Sequence, residues 1–222
     1  VMAMITKLLV ISLFILVVAT LVSWQRARTN TIRAEVQYPP EGRIILVDGH
    51  KVHVVELGSG PDLVMIHGSS GNTRDYTHGL AEELAKSYRV LIFDRPGLGY
   101  TDRLGANGAS ITDQAGLLSQ AAEQLGAQHP IVLGQSYGGA VALAWAVHHP
   151  QNIAALVPVS APSNPWSTPL GIYYTVVSNP IIGPLACLFL NAWVPDKTVN
   201  TALDEIFEPQ NPPTGYDAHI GA

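Results

Sequence analysis

The chain has 222 residues, 47% of them hydrophobic and 13% charged, with a formal net charge of −5. That length accommodates one domain of moderate size, and that apolar share supports a substantial core and argues against disorder. The acidic balance, with no basic patch interleaved with aromatics, argues against a nucleic-acid partner. The single cysteine, Cys187, excludes an intrachain disulfide and a thiolate metal cluster.

The N-terminus differs in kind from the rest. Leu8 to Trp24 carries no charged residue, and this run reaches the lower end of what spans a bilayer, roughly 17 to 25 residues. Trp24 stands where an interfacial anchor belongs. A membrane anchor over residues 1–24 is therefore expected, with a cleaved signal peptide as the competing reading, since Lys7 provides a short basic flank. Val22-Ser23-Trp24-Gln25 lacks a small-x-small cleavage pattern, which favours the uncleaved anchor. Arg26, Arg28 and Arg33 outnumber Lys7, a small excess that favours a cytoplasmic catalytic domain. Residues 25–42 are polar, pass through Tyr38-Pro39-Pro40 and read as a linker.

From Arg43 the pattern changes to short apolar runs. Arg43–Val47 and Lys51–Leu57 read as two strands joined at Asp48-Gly49, a strong hairpin signal. His50 and His53 on this hairpin read as exposed strand residues. Leu63–Ile66 and Arg89–Phe93 have the continuous apolar character of buried parallel strands, with a helical segment around Tyr76 to Ala85 between them. Ser110-Ile111-Thr112-Asp113 is a helix-start capping box and Gly126 the matching stop. Ile131–Leu133 is a further strand, and Ala154–Val159 another. Alternating strands and helices predict a doubly wound, mostly parallel α/β sheet over residues 43–161.

Gly134-Gln135-Ser136-Tyr137-Gly138-Gly139 is the most informative segment. It follows an apolar strand and opens the Ala-rich helical stretch Ala140 to His149. Glycine two residues before and two after the serine fits a sharp strand-to-helix turn that tolerates no larger side chain there. Such a turn raises Ser136 to the carboxyl edge of the sheet, where a substrate carbonyl can reach it. Residues 162–222 then read as an incomplete helical lid, with Trp166, Tyr173, Tyr174, Phe189 and Trp193 available to line an apolar pocket or simply to pack. The anchor and lid thus flank a single α/β core.

Three segments together carry a resemblance: Leu63 to Gly71 with its His67-Gly68-Ser69, Asp94 to Asp102, and the Ser136 turn. Their order and approximate spacing resemble the α/β-hydrolase fold family, in particular the branch that includes epoxide hydrolases, haloalkane dehalogenases and serine esterases. The resemblance implies that Ser136 is the nucleophile, that the backbone N–H groups of Ser69 and Tyr137 form the oxyanion hole, and that Gly134 and Gly138 serve the turn. Serine in place of a carboxylate nucleophile suits acyl transfer on esters or related carbonyls. His67 is expected to shape the turn, and Asp94, Arg95 and Asp102 to brace a loop. No cofactor or metal is expected, and the expected partners are a small-molecule substrate and the membrane; oligomeric state is left open.

The pattern breaks after the lid. The family order is serine, then acid, then histidine. His219 alone lies beyond His149, and Asp217-Ala218-His219 follows no apolar strand. His78 and His129 have no motif around them, and His148 and His149 merely end a helix. The expectation is a fragment whose last strands, acid and histidine lie outside this chain. The alternative is a non-catalytic α/β-hydrolase-like binding protein that lost its triad.

Overall fold

A computed structural model describes residues 2–105, 108, 110–164 and 171–220. They form two compact units, a helical one built from the described residues within 2–39 and 171–217 and a sheet unit built mainly from those within 40–164.

The sheet unit holds six strands: β1 (Arg43–Val47), β2 (His50–Leu57), β3 (Asp62–Ile66), β4 (Arg89–Phe93), β5 (Ile131–Gln135) and β6 (Ala155–Val159). Their order is β1-β2-β4-β3-β5-β6. β1 and β2 pair antiparallel, as do β2 and β4. The β4-β3, β3-β5 and β5-β6 pairs are parallel, so the sheet is mixed with a parallel centre. Asp48 (φ 47°) and Gly49 (φ 79°) both take left-handed backbone at the hairpin tip, the combination a two-residue turn of matching twist requires.

Both faces of the central strands are covered, which explains why β3 and β4 read as unbroken apolar runs. Val64, Ile66, Leu91 and Phe93 face α4 (Ile111–Gln124) and α5 (Tyr137–His148). Leu63, Met65, Val90 and Ile92 face the opposite side, with Tyr76 and Ala81 from the short helices α2 (Arg74–Thr77) and α3 (Leu80–Leu84). Gly79, at φ 108°, separates those two helices where the sequence suggested one. Ser110 caps α4 by accepting a hydrogen bond from the Asp113 N–H at 3.2 Å, and Gly126 (φ 86°) follows its last turn. A single-turn 3-10 helix, Pro150–Asn152, leads into β6, most of whose residues are exposed.

Two sequence expectations need correction here. His53 is not an exposed strand residue: it is 1% exposed, and its Nδ1 lies 2.7 Å from Asp94 Oδ2. The loop after β4 folds back over β2 and covers that face, an arrangement strand alternation does not show. Residues 25–42 are not a linker throughout, because α1 runs from Met2 to Gln37 without a break. Gln25 to Gln37 contains neither proline nor glycine, so nothing in it interrupts the backbone ladder.

In the helical unit α1 is followed, after the strands, by α6 (Ile172–Val177), α7 (Gly183–Trp193) and α8 (Asp196–Phe207). α9 (Tyr216–Ile220) lies at the division between the two units. The apolar stretch of α1 is exposed along its length, and the helix is long and apolar enough to cross a membrane. α7 packs on the far end of α1: Arg26 Nε donates to the Ala192 carbonyl at 2.6 Å, Trp193 Nε1 to Ser23 Oγ at 2.9 Å, and Asn30 Nδ2 to the Asn191 carbonyl at 2.8 Å. Tyr173, Phe189 and Trp193 line an apolar groove in this unit, Tyr174 stacks edge-on against Tyr173, and Trp166 lies outside the described residues.

Trp145 on α5 fills the core beneath β5 and β6, fully buried, with its Nε1 donating to the Asn152 carbonyl at 3.2 Å. Trp145→Ala should cost about 3–5 kcal/mol through the cavity it leaves. The shift in denaturant midpoint measures this, with the slope expected to stay unchanged.

Candidate active site

Ser136 sits between the last residue of β5 and the first of α5, at φ 52° and ψ −122°. A non-glycine residue in this region is strained by roughly 1–3 kcal/mol and persists only where its surroundings impose it. The imposing contacts are visible. A Cβ at Gly134 would overlap the Gly138 carbonyl, and one at Gly138 would overlap the carbonyls of Ile66 and His67. The strand end, the helix start and the β3 loop therefore close on one another at van der Waals distance. The Ser136 N–H is tied to the Val159 carbonyl of β6 at 2.9 Å, and its own carbonyl accepts from Gly139 N at 2.9 Å. Ser136 itself is half-buried.

The β3 loop lies directly beside this turn. A Cβ on Gly68 would come within 3.3 Å of Ser136 Cβ and would overlap Gln135 Oε1. Ser69, the next residue, is exposed, and Tyr137 is the first residue of α5. The sequence-predicted Ser69, Gly134, Ser136, Tyr137 and Gly138 thus gather at one point, at the carboxyl ends of β3 and β5.

Beneath them lies a polar brace that the chain's sequence only partly revealed. Arg95 donates through Nε to the His67 carbonyl (2.9 Å), through Nη2 to the Gly68 carbonyl (2.8 Å) and through Nη1 to Gln114 Oε1 (3.1 Å). Its guanidinium also lies 4.7 Å from the centre of the Tyr137 ring. His67 Nε2 accepts from the Arg95 N–H at 2.9 Å, leaving the ring proton on Nδ1, 3.0 Å from the Gly68 carbonyl. Burial, reinforced by the nearby Arg95 charge, pushes the His67 pKa down to about 4. A neutral imidazole locked on both nitrogens shapes the turn and is not placed to take a proton from Ser136. Burial likewise lowers Arg95 to about 10.

Asp94 holds the adjoining loops. Its Oδ1 accepts from Thr73 N (2.8 Å), and its Oδ2 from Tyr100 N (2.9 Å) and His53 Nδ1 (2.7 Å). Burial alone would raise this carboxyl, but the hydrogen bonds from His53 and Tyr100 outweigh it and hold the pKa below its usual value. Asp102 Oδ2 accepts from Lys51 N at 2.8 Å. His53 is the residue sequence reasoning missed; a histidine within the apolar run Val52-His53-Val54-Val55 was the available signal.

His219 does not complete the site. Its Nε2 bonds Thr77 Oγ1 at 2.8 Å, and its ring lies 5.1 Å from that of His78. Among the described residues, no histidine or carboxylate hydrogen-bonds to the Ser136 hydroxyl.

A parallel-centred sheet with a strained serine turn after its fifth strand is the architecture of α/β hydrolases. A model of the alpha/beta hydrolase fold matches residues 61–177, more than half the chain, and the chain belongs to that family. It is 34% identical over 125 residues to a 2-hydroxymuconate semialdehyde hydrolase of Pseudomonas sp. (strain CF600), covering 54% of this chain and 43% of that protein. It is 36% identical over 113 residues to a pimeloyl-[acyl-carrier protein] methyl ester esterase of Aeromonas hydrophila, covering 50% of this chain and 41% of that one. The matched segments thus span less than half the length of these relatives. A crystal structure of a bacterial membrane phospholipase A superposes with a TM-score of 0.60 at 21% identity, over 97% of this chain and 69% of that one, a likeness of fold.

The brace generates a pH prediction. Unfolded His67 takes up a proton below about pH 6.5, whereas the folded residue resists until about pH 4. Its contribution is therefore complete above pH 6.5 and is lost as the pH falls toward 4. Unfolding free energies measured between pH 7 and 4 should decline, and His67→Gln should flatten that slope.

Proposed function

We propose that the whole protein is a membrane-attached serine hydrolase that cleaves carboxylic esters or related carbonyl compounds through an acyl-Ser136 intermediate. The observation that carries this is the left-handed backbone at Ser136, held by the Gly134, Gly138 and Gly68 approaches at the mouth of the sheet. Strain of this kind projects one hydroxyl out of a packed turn, which a purely structural serine does not need. One sequence relative is named as a hydrolase and the other as a methyl ester esterase, in keeping with attack on a carbonyl.

In this reading Ser136 Oγ attacks the carbonyl carbon while its proton passes to a base. Negative charge gathers on the carbonyl oxygen, where the N–H groups of Ser69 and Tyr137 would receive it. Losing one such donor typically costs about 3–4 kcal/mol of barrier. The tetrahedral species then expels the alcohol, which takes up the proton, and water attacks the acyl-serine to release the acid and regenerate the hydroxyl. Neither His67 nor His219 is assigned the proton transfer: the first is locked in the brace and the second is bound to Thr77. That role is left to the whole protein, since this chain matches less than half of its relatives' length. No metal or cofactor is part of the proposal. The membrane attachment rests on α1, whose apolar stretch has the length and exposure of a spanning segment.

The competing reading is a binding protein that keeps the turn without chemistry, favoured by the lack of a hydrogen-bonded base beside Ser136 among the described residues. A fluorophosphonate probe separates the two. The full-length protein should be labelled, and Ser136→Ala should abolish labelling and lower ester turnover roughly 10³- to 10⁶-fold. Ser69→Ala should change turnover by no more than a few-fold, because the proposed donor is main-chain. Labelling that persists in Ser136→Ala excludes Ser136 as nucleophile, and a correctly folded full-length protein that resists the probe supports the binding reading.

A further inference from the structure

The geometry points to a second membrane contact in the helical unit: α6, the Asn179–Ile182 turn and α7 lie against the bilayer that holds α1, with lipid acyl chains filling the grooves between these helices. This rests on the reading of α1 as a membrane-spanning helix.

α1 serves as a depth gauge. Its apolar stretch ends at Trp24 and its polar half begins at Gln25. At that boundary Trp193 of α7 donates its Nε1 to Ser23 Oγ at 2.9 Å, and the Arg26 guanidinium lies 4.7 Å above the Trp193 ring. Arg28 stands 5.6 Å from the Trp24 ring at the same level. Two tryptophan–arginine pairs at the end of an apolar helix mark the headgroup layer, where amphipathic rings and cationic heads are both accommodated. Phe189, one turn earlier on α7, lies on the apolar side of this level. With Trp193 it lines a groove of about 490 Å³ against Phe14, Ile15, Val18 and Val22 of α1. Phe14 to Ser23 corresponds to about 13 Å of helix at 1.5 Å per residue. A bilayer that receives α1 therefore also receives this groove.

The remainder of the surface fits that placement. Phe189 and Trp193 also line the neighbouring groove of about 680 Å³, whose other walls include Ile172, Tyr173, Val176 and Leu190. The two grooves thus share a wall formed by Phe189 and Trp193. Gly171 to Val194 contains no Asp, Glu, Lys, Arg or His, so lipid contact there buries no charge. Ile172 and Ile181 are 84% and 85% exposed, and Ile182 and Leu185 are exposed beside them. An apolar patch of this kind marks a site of association. α7 has 11 residues, about half of what spans a bilayer. It therefore lies within one leaflet as an interfacial helix and does not cross.

Site-directed spin labelling of the full chain in phosphatidylcholine vesicles tests the placement. Cys187 is the sole cysteine, so Cys187→Ser provides a background for single labels at Ile181→Cys and Leu185→Cys. Val17→Cys on α1 serves as the lipid reference and Glu82→Cys on α3 as the water reference; all four positions are exposed, so the labels leave the packing intact. Collision with oxygen, which partitions into lipid, is compared with collision with a water-soluble nickel chelate. The expected result is an oxygen-to-nickel ratio at positions 181 and 185 close to that at 17 and at least several-fold above that at 82. A ratio matching position 82, with position 17 in lipid, overturns the second contact while leaving α1 in the membrane. Labels at 181 and 185 shielded from both reagents overturn it too, assigning the face to a second copy of the chain. Nickel access at position 17 removes the reading of α1 itself, and the inference falls with it.

Discussion

The close approach of three backbone segments around Ser136 is the constraint on which the sheet unit's candidate site depends. Gly134 and Gly138 have no room for a Cβ, and Gly68 could carry one only by displacing Gln135. The β3 loop and the α5 N-terminus are therefore nearly in contact, and the serine between them is left in a backbone conformation it would not choose. Strain at one residue is sustained because the two parallel strand pairs flanking β5 fix the strand end of the turn, while the close approach of Gly138 to the Ile66 and His67 carbonyls fixes the helix end. The backbone of the turn is set by main-chain contacts and not by side-chain partners.

The polar brace solves the second problem, that of keeping the β3 loop rigid where no regular structure holds it. Arg95 occupies the carbonyls of His67 and Gly68, and His67 is held by bonds at both ring nitrogens. Buried polar groups of this number would be a large liability if any lacked a partner. Among the described residues, no buried side-chain nitrogen or oxygen is unsatisfied. The loop's carbonyls are therefore held by a network that is expensive to disturb, which keeps the loop rigid beside Ser136.

The sheet, its parallel centre and the Ser136 turn were legible because each rests on local patterns: short apolar runs, glycines at fixed offsets, a cap at Ser110. What was not legible depends on distant chain. His53 alternates with apolar neighbours as a surface residue would, and only the fold of the loop after β4, some 40 residues on, buries it. The polar half of α1 resembled a linker by composition, yet a helix needs no apolar face when it continues an existing one. A proton acceptor for Ser136 could not be read either, since the order of acid and histidine along a chain says nothing of where they meet. His219 shows this directly: it satisfies the order and is bonded to Thr77.

Asp94 has a dynamic consequence. Its two oxygens hold Thr73 in one loop and Tyr100 in another, with His53 on the second of them. Neither loop can swing away without leaving a buried carboxylate short of a donor, so thermal opening of one is energetically coupled to the other. The mouth of the sheet should accordingly breathe as a single cooperative segment, with the amide hydrogens at positions 73 and 100 escaping to solvent through the same rare event.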